Sequence, residues 1–317
     1  MTDPTAEQAP APAPATSATA AELQRGELNV RELMEVGAHF GHQTGRWNPR
    51  MKPYLFGERN GVHIIDLDQT LPLLKQGLAF LRETTGGGGK VLFVGTKRQA
   101  QASMRFEAER AQQHYVNNRW LGGMLTNFKT VKKSIDRFKA FQEQVSNPEK
   151  AAELSKKELS GVTRQIEKYK KSLDGIQGMS RLPDALFVID IEREAIAVSE
   201  ARRLGIPIVA VVDSNCDPLQ VDFPIPGNDD ATRAIHLYCT RAADACLEGS
   251  AYFQDQLRKD GTREEKGAEE KPSVGTGRLV VEIKQPPRRG RGTGGTASFG
   301  RDRTDAPRPD AAGGAKE

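Results

Sequence analysis

Near-continuous apolar runs at 185–189 and 208–212 have the pattern of parallel strands covered on both faces, and a further strand is predicted at 90–95. Between and around them, apolar residues recur at helical spacing. A first amphipathic helix is predicted at 30–37, with Leu33, Met34 and Val36 apolar, and a short buried strand at 62–65. Residues 68–83 place Leu71, Leu74, Leu78 and Leu81 on one helical face, with Pro72 assigned to a first turn, where proline is tolerated. Four glycines at 86–89 read as a flexible turn before the strand at 90–95. Helix is predicted at 97–112, 192–204 and 230–247, and a short strand at Tyr115-Val116.

The period changes after residue 127. Phe128, Val131, Ile135, Phe138, Gln142 and Val145 recur at spacings of three and four. Beyond Asn147-Pro148, the set Leu159, Val162, Ile166, Tyr169 and Leu173 does the same, after a capping-box pattern at Ser155 to Glu158. Two narrow apolar stripes on otherwise basic helices predict a coiled-coil hairpin that protrudes from the domain. The alternation of strand and helix around it predicts a three-layer α/β/α fold. Its sheet is expected to be mainly parallel, flavodoxin- or Rossmann-like, with the coiled-coil hairpin inserted at 128–178.

Segment 37–66 fits neither period. It reads GAHFGHQTGRWNPRMKPYLFGERNGVHIID, in which prolines and glycines interrupt any long regular element. It nevertheless concentrates His, Trp, Tyr, Phe and Arg. Irregular backbone carrying aromatic and cationic side chains suits RNA, whose bases stack on aromatic faces and whose phosphates take Arg and Lys.

Composition narrows the folded part. The chain has 317 residues, 37% hydrophobic and 28% charged, so a core is possible without the whole chain folding. Residues 1–28 form an Ala/Pro-rich extension and 257–317 a charged, then Gly/Arg-rich tail, neither able to bury enough apolar surface to order itself. A strand-like RLVVEIK at 278–284 is the exception in the tail. The folded domain is therefore expected at 29–256. Net charge is only +4, but 128–181 holds thirteen Lys or Arg against seven Asp or Glu, a local excess of positive charge. Three cysteines without metal-type or redox spacing, and no long apolar span, point to a soluble protein of a reducing cytoplasm without membrane contact.

Enzymatic chemistry finds little support. Gly86 to Lys90 lacks the glycine spacing and the following Ser or Thr of a phosphate loop. Gly95-Thr96-Lys97-Arg98 follows a strand and opens a helix, so its N–H groups and cations could hold a phosphate, free or in RNA. A nucleotide- or phosphate-binding α/β enzyme is the alternative reading. His39 and His42 could meet at a metal, but no acidic or cysteine partner stands at a familiar spacing, so no metal or other cofactor is expected. Asp190, Asp213, Asp217 and Asp222 fall at strand ends, where catalytic groups and ordinary loop caps look alike.

Three segments combine cations with aromatic residues: 46–52, 117–120 and 127–133. Either tryptophan alone reads better as a core residue; taken with the basic hairpin, RNA binding explains more.

The runs AHFGHQTGRWNPRMKPYLFGERNGVHIIDL, KVLFVGTKRQA, RWLGGMLTN, LPDALFVID, RLGIPIVAVVDSNCDP and VDFPIPGNDDATRAI closely resemble the bacterial ribosomal protein S-two family. The resemblance covers 29–256. It implies a non-enzymatic component of the small ribosomal subunit that contacts 16S ribosomal RNA at the head–body junction. It also implies neighbouring small-subunit proteins as partners and a part in recruiting protein S-one. Matched to the family motifs, Arg46, Trp47, Asn48, Arg50, Lys52, Lys97, Arg98, Asn118, Arg119 and Trp120 are expected RNA contacts. Lys129, Lys132 and Lys133 join them from the charge pattern of the hairpin. The Arg residues 288, 289 and 291 of the tail are expected to add weak, salt-sensitive RNA affinity.

Overall fold

The computed structural model describes residues 28–148, 150 and 155–269. The Ala/Pro-rich start, the strand expected at 278–284 and the Gly/Arg-rich run lie outside them. In chain order, α1 (Val30–Glu35) is followed by β1 (Phe40–Gln43), a 3-10 turn (Pro49–Tyr54), β2 (Leu55–Arg59) and β3 (Val62–Ile65). Then come α2 (Leu67–Gly86), β4 (Val91–Val94), α3 (Gln101–Arg110), β5 (His114–Val116), α4 (Phe128–Ser146) and α5 (Lys156–Leu173). The chain continues through β6 (Ala185–Ile189), α6 (Ala195–Leu204), β7 (Ile208–Val212), β8 (Phe223–Pro226) and α7 (Thr232–Glu269). No described helix is long and apolar enough to cross a membrane.

Five strands form a parallel sheet in the order β5-β4-β6-β7-β8. That is the flavodoxin-like order, whose direction reverses between β4 and β6. Alternate residues of each strand serve the two faces. Val91, Phe93, Phe187, Val209 and Val211 pack with Leu74, Leu81, Met104 and Ala242 from α2, α3 and α7. Leu92, Val94, Leu186, Val188, Ala210 and Val212 pack with Ala197, Val198 and Ala201 of α6, and with Met51, Trp120, Ile135 and Phe138. Helices cover both faces, which makes the three layers and explains why the central strands β4, β6 and β7 carry no polar positions.

Strand β8 is absent from the expected set. Its sequence, Phe-Pro-Ile-Pro, carries two residues without an N–H, and it is tolerated because β8 is the edge strand beside β7. Segment 37–66 is also more regular than expected. It holds a small antiparallel sheet in the order β1-β3-β2. Asn60 and Gly61, both at positive φ (52° and 73°), make the two-residue turn that joins β2 to β3. The strand at 62–65 sits in this small sheet, and only Ile65 of it is buried.

Three boundaries differ for physical reasons. Helix α2 begins at Leu67, capped by Asp66, so Pro72 lies in its second turn rather than its first. Helix α3 begins at Gln101, because 97–100 form a turn. Helix α7 runs through to Glu269, past Leu247 and past the domain end expected at 256. Gly249 is no stop signal there: a Cβ at this position would stand 2.1 Å from Thr85 Oγ1 and 2.3 Å from Arg82 O. Glycine is what lets α7 cross α2 at backbone distance.

Two helices stand where the hairpin was expected, and α5 opens on the capping box of Ser155 and Glu158. Most of the striped positions are covered: Ile135, Phe138 and Leu173 are buried and Phe128, Val131, Ile166 and Tyr169 half-buried, whereas Val145 near the end of α4 is exposed. Aromatic contacts join the pair, with the Tyr169 ring 5.9 Å from Phe138 and 6.3 Å from Phe141. Phe138 belongs to the same buried cluster as the sheet residues, so Phe138→Ala is expected to cost about 3–5 kcal/mol. Urea unfolding measures this, and an effect below ~1 kcal/mol would show that the helices stand free of the core.

Candidate nucleic-acid interface

Because the five strands run parallel, the loops after them emerge along one edge. That edge carries Gly95 to Ala100 after β4, Asn117 to Asn127 after β5 and Asp190 to Glu194 after β6. Asp213 to Asp222 follow β7, and Gly227 to Ala231 follow β8. The segment between β1 and the 3-10 turn is drawn to the same place. His42 N–H donates to Ser214 Oγ (2.8 Å) and Asn48 N–H to Ser214 O (2.8 Å). The fold thus gathers residues that are scattered over the whole sequence.

The inner part of this edge is acidic. Lys97 Nζ lies 2.6 Å from Asp229 Oδ1, 2.6 Å from Asp230 Oδ1 and 3.5 Å from Asp190 Oδ2. Burial works against its charge, but Asp229 and its neighbours outweigh burial and hold the ammonium well above its ordinary pKa. Asp229 is fully buried, and burial, with Asp213 and Asp190 nearby, lifts its carboxyl to about 7. His42 Nδ1 stands 3.1 Å from Asp213 Oδ2, in ion-pair range though off the hydrogen-bond axis. That contact, helped by the charges of Asp213, Asp229 and Asp230 and opposed by burial, raises the imidazole to about 9. Thr96 N–H donates to Glu194 Oε1 (2.8 Å), and burial pushes Glu194 above the usual carboxylate range.

A phosphate site at 95–98 is therefore not what the loop makes. Lys97 is spent on carboxylates, and a phosphate there would face Asp190, Asp229 and Asp230. Expected as an RNA contact, Lys97 is turned inward. So is Trp120, only 8% exposed, whose Nε1–H donates to Glu200 Oε1 (3.2 Å). Glu200 also accepts from the N–H groups of Gly123 (2.7 Å), Leu125 (3.0 Å) and Thr126 (3.1 Å). The sequence carries no local sign of Glu200, because its partners lie 74–80 residues away. Asp229 likewise gives no local sign of its role, since Lys97 lies 132 residues away.

The outer part of the edge is basic. Arg46, Arg50 and Lys52 are exposed, and Trp47, 40% exposed, leans on His63 with ring centroids 5.3 Å apart. Asn48 is half-buried and caps the 3-10 turn by accepting from Arg50 N–H (3.0 Å). Arg50 also pairs with Asp217, an exposed contact worth little by itself. Beneath them Met51 is buried in the same cluster as Trp120, Met124 and Leu125, so both loops rest on one apolar footing. Arg98, Asn118 and Arg119 are exposed, as are Lys129, Lys132 and Lys133 in the first two turns of α4. No acidic residue stands in that first turn. Cations at a helix N-terminus oppose the helix dipole, so stability alone does not account for them.

The family model described as Ribosomal protein S2 matches residues 33–249. The chain belongs to the ribosomal protein S2 family. It is 55% identical over 234 residues to the small ribosomal subunit protein uS2 of Chelativorans sp. (strain BNC1), covering 74% of this chain and 87% of that one. The uS2 protein of Maricaulis maris (strain MCS10) is 56% identical over 234 residues, with 74% and 81% covered. That of Mesorhizobium japonicum is 54% identical over 234 residues, with 74% and 89% covered. S2 family members are structural proteins and not enzymes, in keeping with an α/β switch point filled by carboxylates.

Burial alone would raise the Glu200 carboxyl, but the N–H groups of Thr126, Gly123 and Leu125 and the Trp120 indole outweigh it and hold its pKa below the usual value. A carboxyl depressed on folding stabilises above its unfolded pKa of about 4.3, and that contribution disappears as pH falls through the folded value. Glu200→Gln is expected to lower stability by about 2 kcal/mol at neutral pH. The deficit should shrink on acidification below about pH 4. Denaturant midpoints measured across pH test this, and a deficit that does not change with pH would assign the loss to shape rather than charge.

Proposed function

We propose that this chain is a structural constituent of the small ribosomal subunit in the bacterial cytoplasm. It binds small-subunit (16S) ribosomal RNA through the basic outer edge of its parallel sheet. The observation that carries this reading is the loop of Arg46, Trp47, Arg50 and Lys52. Its cations and its aromatic ring face outward, while Asn48 and Met51 fasten its backbone inward. A loop held in this way loses little entropy on binding. Arg98, Asn118, Arg119 and Lys129, Lys132 and Lys133 extend the surface along the same edge and onto α4. Lys97 and Trp120 support the surface from behind it, and Asn48 caps the turn within it.

The relatives' printed name supports the ribosomal assignment. The family resemblance supports a position at the head–body junction, contact with neighbouring small-subunit proteins and a part in recruiting protein S-one. The acidic switch point argues against the nucleotide-binding alternative, since a phosphate would meet like charge there.

Arg46→Ala with Arg50→Ala is expected to weaken binding to small-subunit RNA while leaving the circular dichroism unchanged. The slope of log K against log salt should fall by about one to two in magnitude. An unchanged slope, or loss of folding without a separable RNA defect, would assign both residues to the scaffold. Deleting 286–317 should reduce RNA affinity modestly and mostly at low salt; unchanged ribosome occupancy across a salt series would remove the tail from the interface.

A further inference from the structure

The outward residues of the basic edge fall into two groups. Arg98, Asn118 and Arg119 stand on the loops after β4 and β5. Arg46, Arg50 and Lys52 stand on the segment fastened to the loop after β7. In the sheet order β5-β4-β6-β7-β8, the end of β6 lies between them. Neighbouring strands are about 4.8 Å apart, so the two groups are separated by roughly 10 Å at the strand ends. The loop after β6, residues 190–194, occupies that interval and carries one cation, Arg193. We propose that Arg193 is a direct phosphate contact that joins the two groups into one continuous RNA-binding surface. The inference rests on the RNA-binding reading given above.

The Arg193 side chain is built into the fold on one side and open on the other. Its Nε donates to Thr96 Oγ1 (3.1 Å). Thr96 is buried, and both its N–H (2.8 Å) and its hydroxyl (2.5 Å) donate to Oε1 of Glu194, a residue only 2% exposed. A hydroxyl has a single proton, and Glu194 takes it, so toward Arg193 the Thr96 oxygen can only accept. The buried carboxylate thereby sets the sense of the Arg193 bond. The backbone is held as well: Arg193 N–H donates to Asp190 Oδ1 (3.0 Å) and Glu194 N–H to Asp190 O (3.1 Å). Arg193 is nonetheless exposed and forms no ion pair among the described residues. Lys97, by contrast, spends its charge on carboxylates, and Arg50 pairs with Asp217.

With Nε engaged, the two terminal nitrogens remain, and their N–H groups match two oxygens of one phosphate. A lysine would supply the charge but neither this fork nor the bond to Thr96. Of the neighbouring acids, Glu194 is bonded to Thr96 and Glu192 to Asn215 Nδ2. The Glu192–Asn215 bond also ties the loop after β6 to the loop after β7, two residues before the Asp217 that pairs with Arg50. A side chain held in advance loses less freedom on binding than one that is free. Thr96 is thus the positioning residue for Arg193.

The test compares full-length variants for binding to 16S ribosomal RNA, and to small subunits stripped of their own copy of the protein, across a salt series. Arg193→Ala is expected to weaken binding to 16S RNA about tenfold. The slope of log K against log salt should fall by about one in magnitude, with thermal unfolding as in the wild type. Arg193→Lys should keep the wild-type slope but recover only part of the affinity, because the charge is preserved and the fork is not. Thr96→Val should weaken binding several-fold without changing the slope, and Thr96→Ser, which restores the hydroxyl, should bind as the wild type does. Arg203→Ala, an exposed arginine in the last turn of α6, should change nothing. If the wild type shows no salt-dependent binding to 16S RNA, the RNA-binding reading fails and the inference with it. If the wild type binds and the Arg46→Ala, Arg50→Ala pair weakens it, but Arg193→Ala matches the wild type, the inference alone is overturned. A defect on stripped subunits that is absent on 16S RNA would assign Arg193 to a neighbouring protein and overturn it equally.

Discussion

Lys97 is nearly buried, yet its charge is kept by three carboxylates, Asp190, Asp229 and Asp230. The lysine comes from the loop after β4 and the carboxylates from the loops after β6 and β8, so a single ammonium ties three strand ends together. Removing one member of such a pair leaves an uncompensated buried charge and costs about 3–5 kcal/mol. Asn228 extends the same fastening to the N-terminal segment: its N–H donates to Ala38 O (3.0 Å) and its Nδ2 to Gly37 O (3.0 Å). The loops at this edge of the sheet are organised around this charged centre.

The division of labour along that edge follows from charge. Carboxylates lie inside and cations outside, so the interior that other α/β folds offer to anionic cofactors here repels them. The outer rim, by contrast, presents Arg46, Arg50, Lys52, Arg98 and Arg119 to solvent. A common architecture has been kept while the sign of its customary pocket is inverted. Trp47 and Trp120 show the same division. Both stand beside an arginine in sequence, but one is half open to solvent and the other is sealed beneath its loop by Glu200.

Local pattern made much of this legible. The continuous apolar runs of β6 and β7 announced a buried parallel sheet, and the spacing from Phe128 to Leu173 marked most of the covered positions of α4 and α5. Where the reading missed, the deciding partner was distant or a local signal was passed over. Asn60-Gly61 is a hairpin signal that went unused among the other glycines of its segment. Strand β8 was hidden by its prolines, which only an edge position excuses. The inward turn of Lys97 depends on Asp229, 132 residues away, and that of Trp120 on Glu200, 80 residues away. No short-range rule reaches so far. For the same reason His42 has no acidic neighbour close in sequence, and the fold supplies Asp213 and Asp230 from after β7 and β8.

The long reach of these contacts also sets an order in time. The segment from α1 to the 3-10 turn leaves the synthesising ribosome early, but its anchors are Ser214, Asn228 and Arg241, which lie 172, 191 and 209 residues downstream of His42, Gly37 and Glu32. At about 5–20 residues per second, roughly ten to forty seconds pass before those anchors exist. During that interval Trp47, Phe40 and Phe56 have no finished scaffold to rest on, and the basic loop has no fixed shape. The basic loop at 46–52 is therefore among the last parts of the domain to be fixed in place, although it is among the first to be translated.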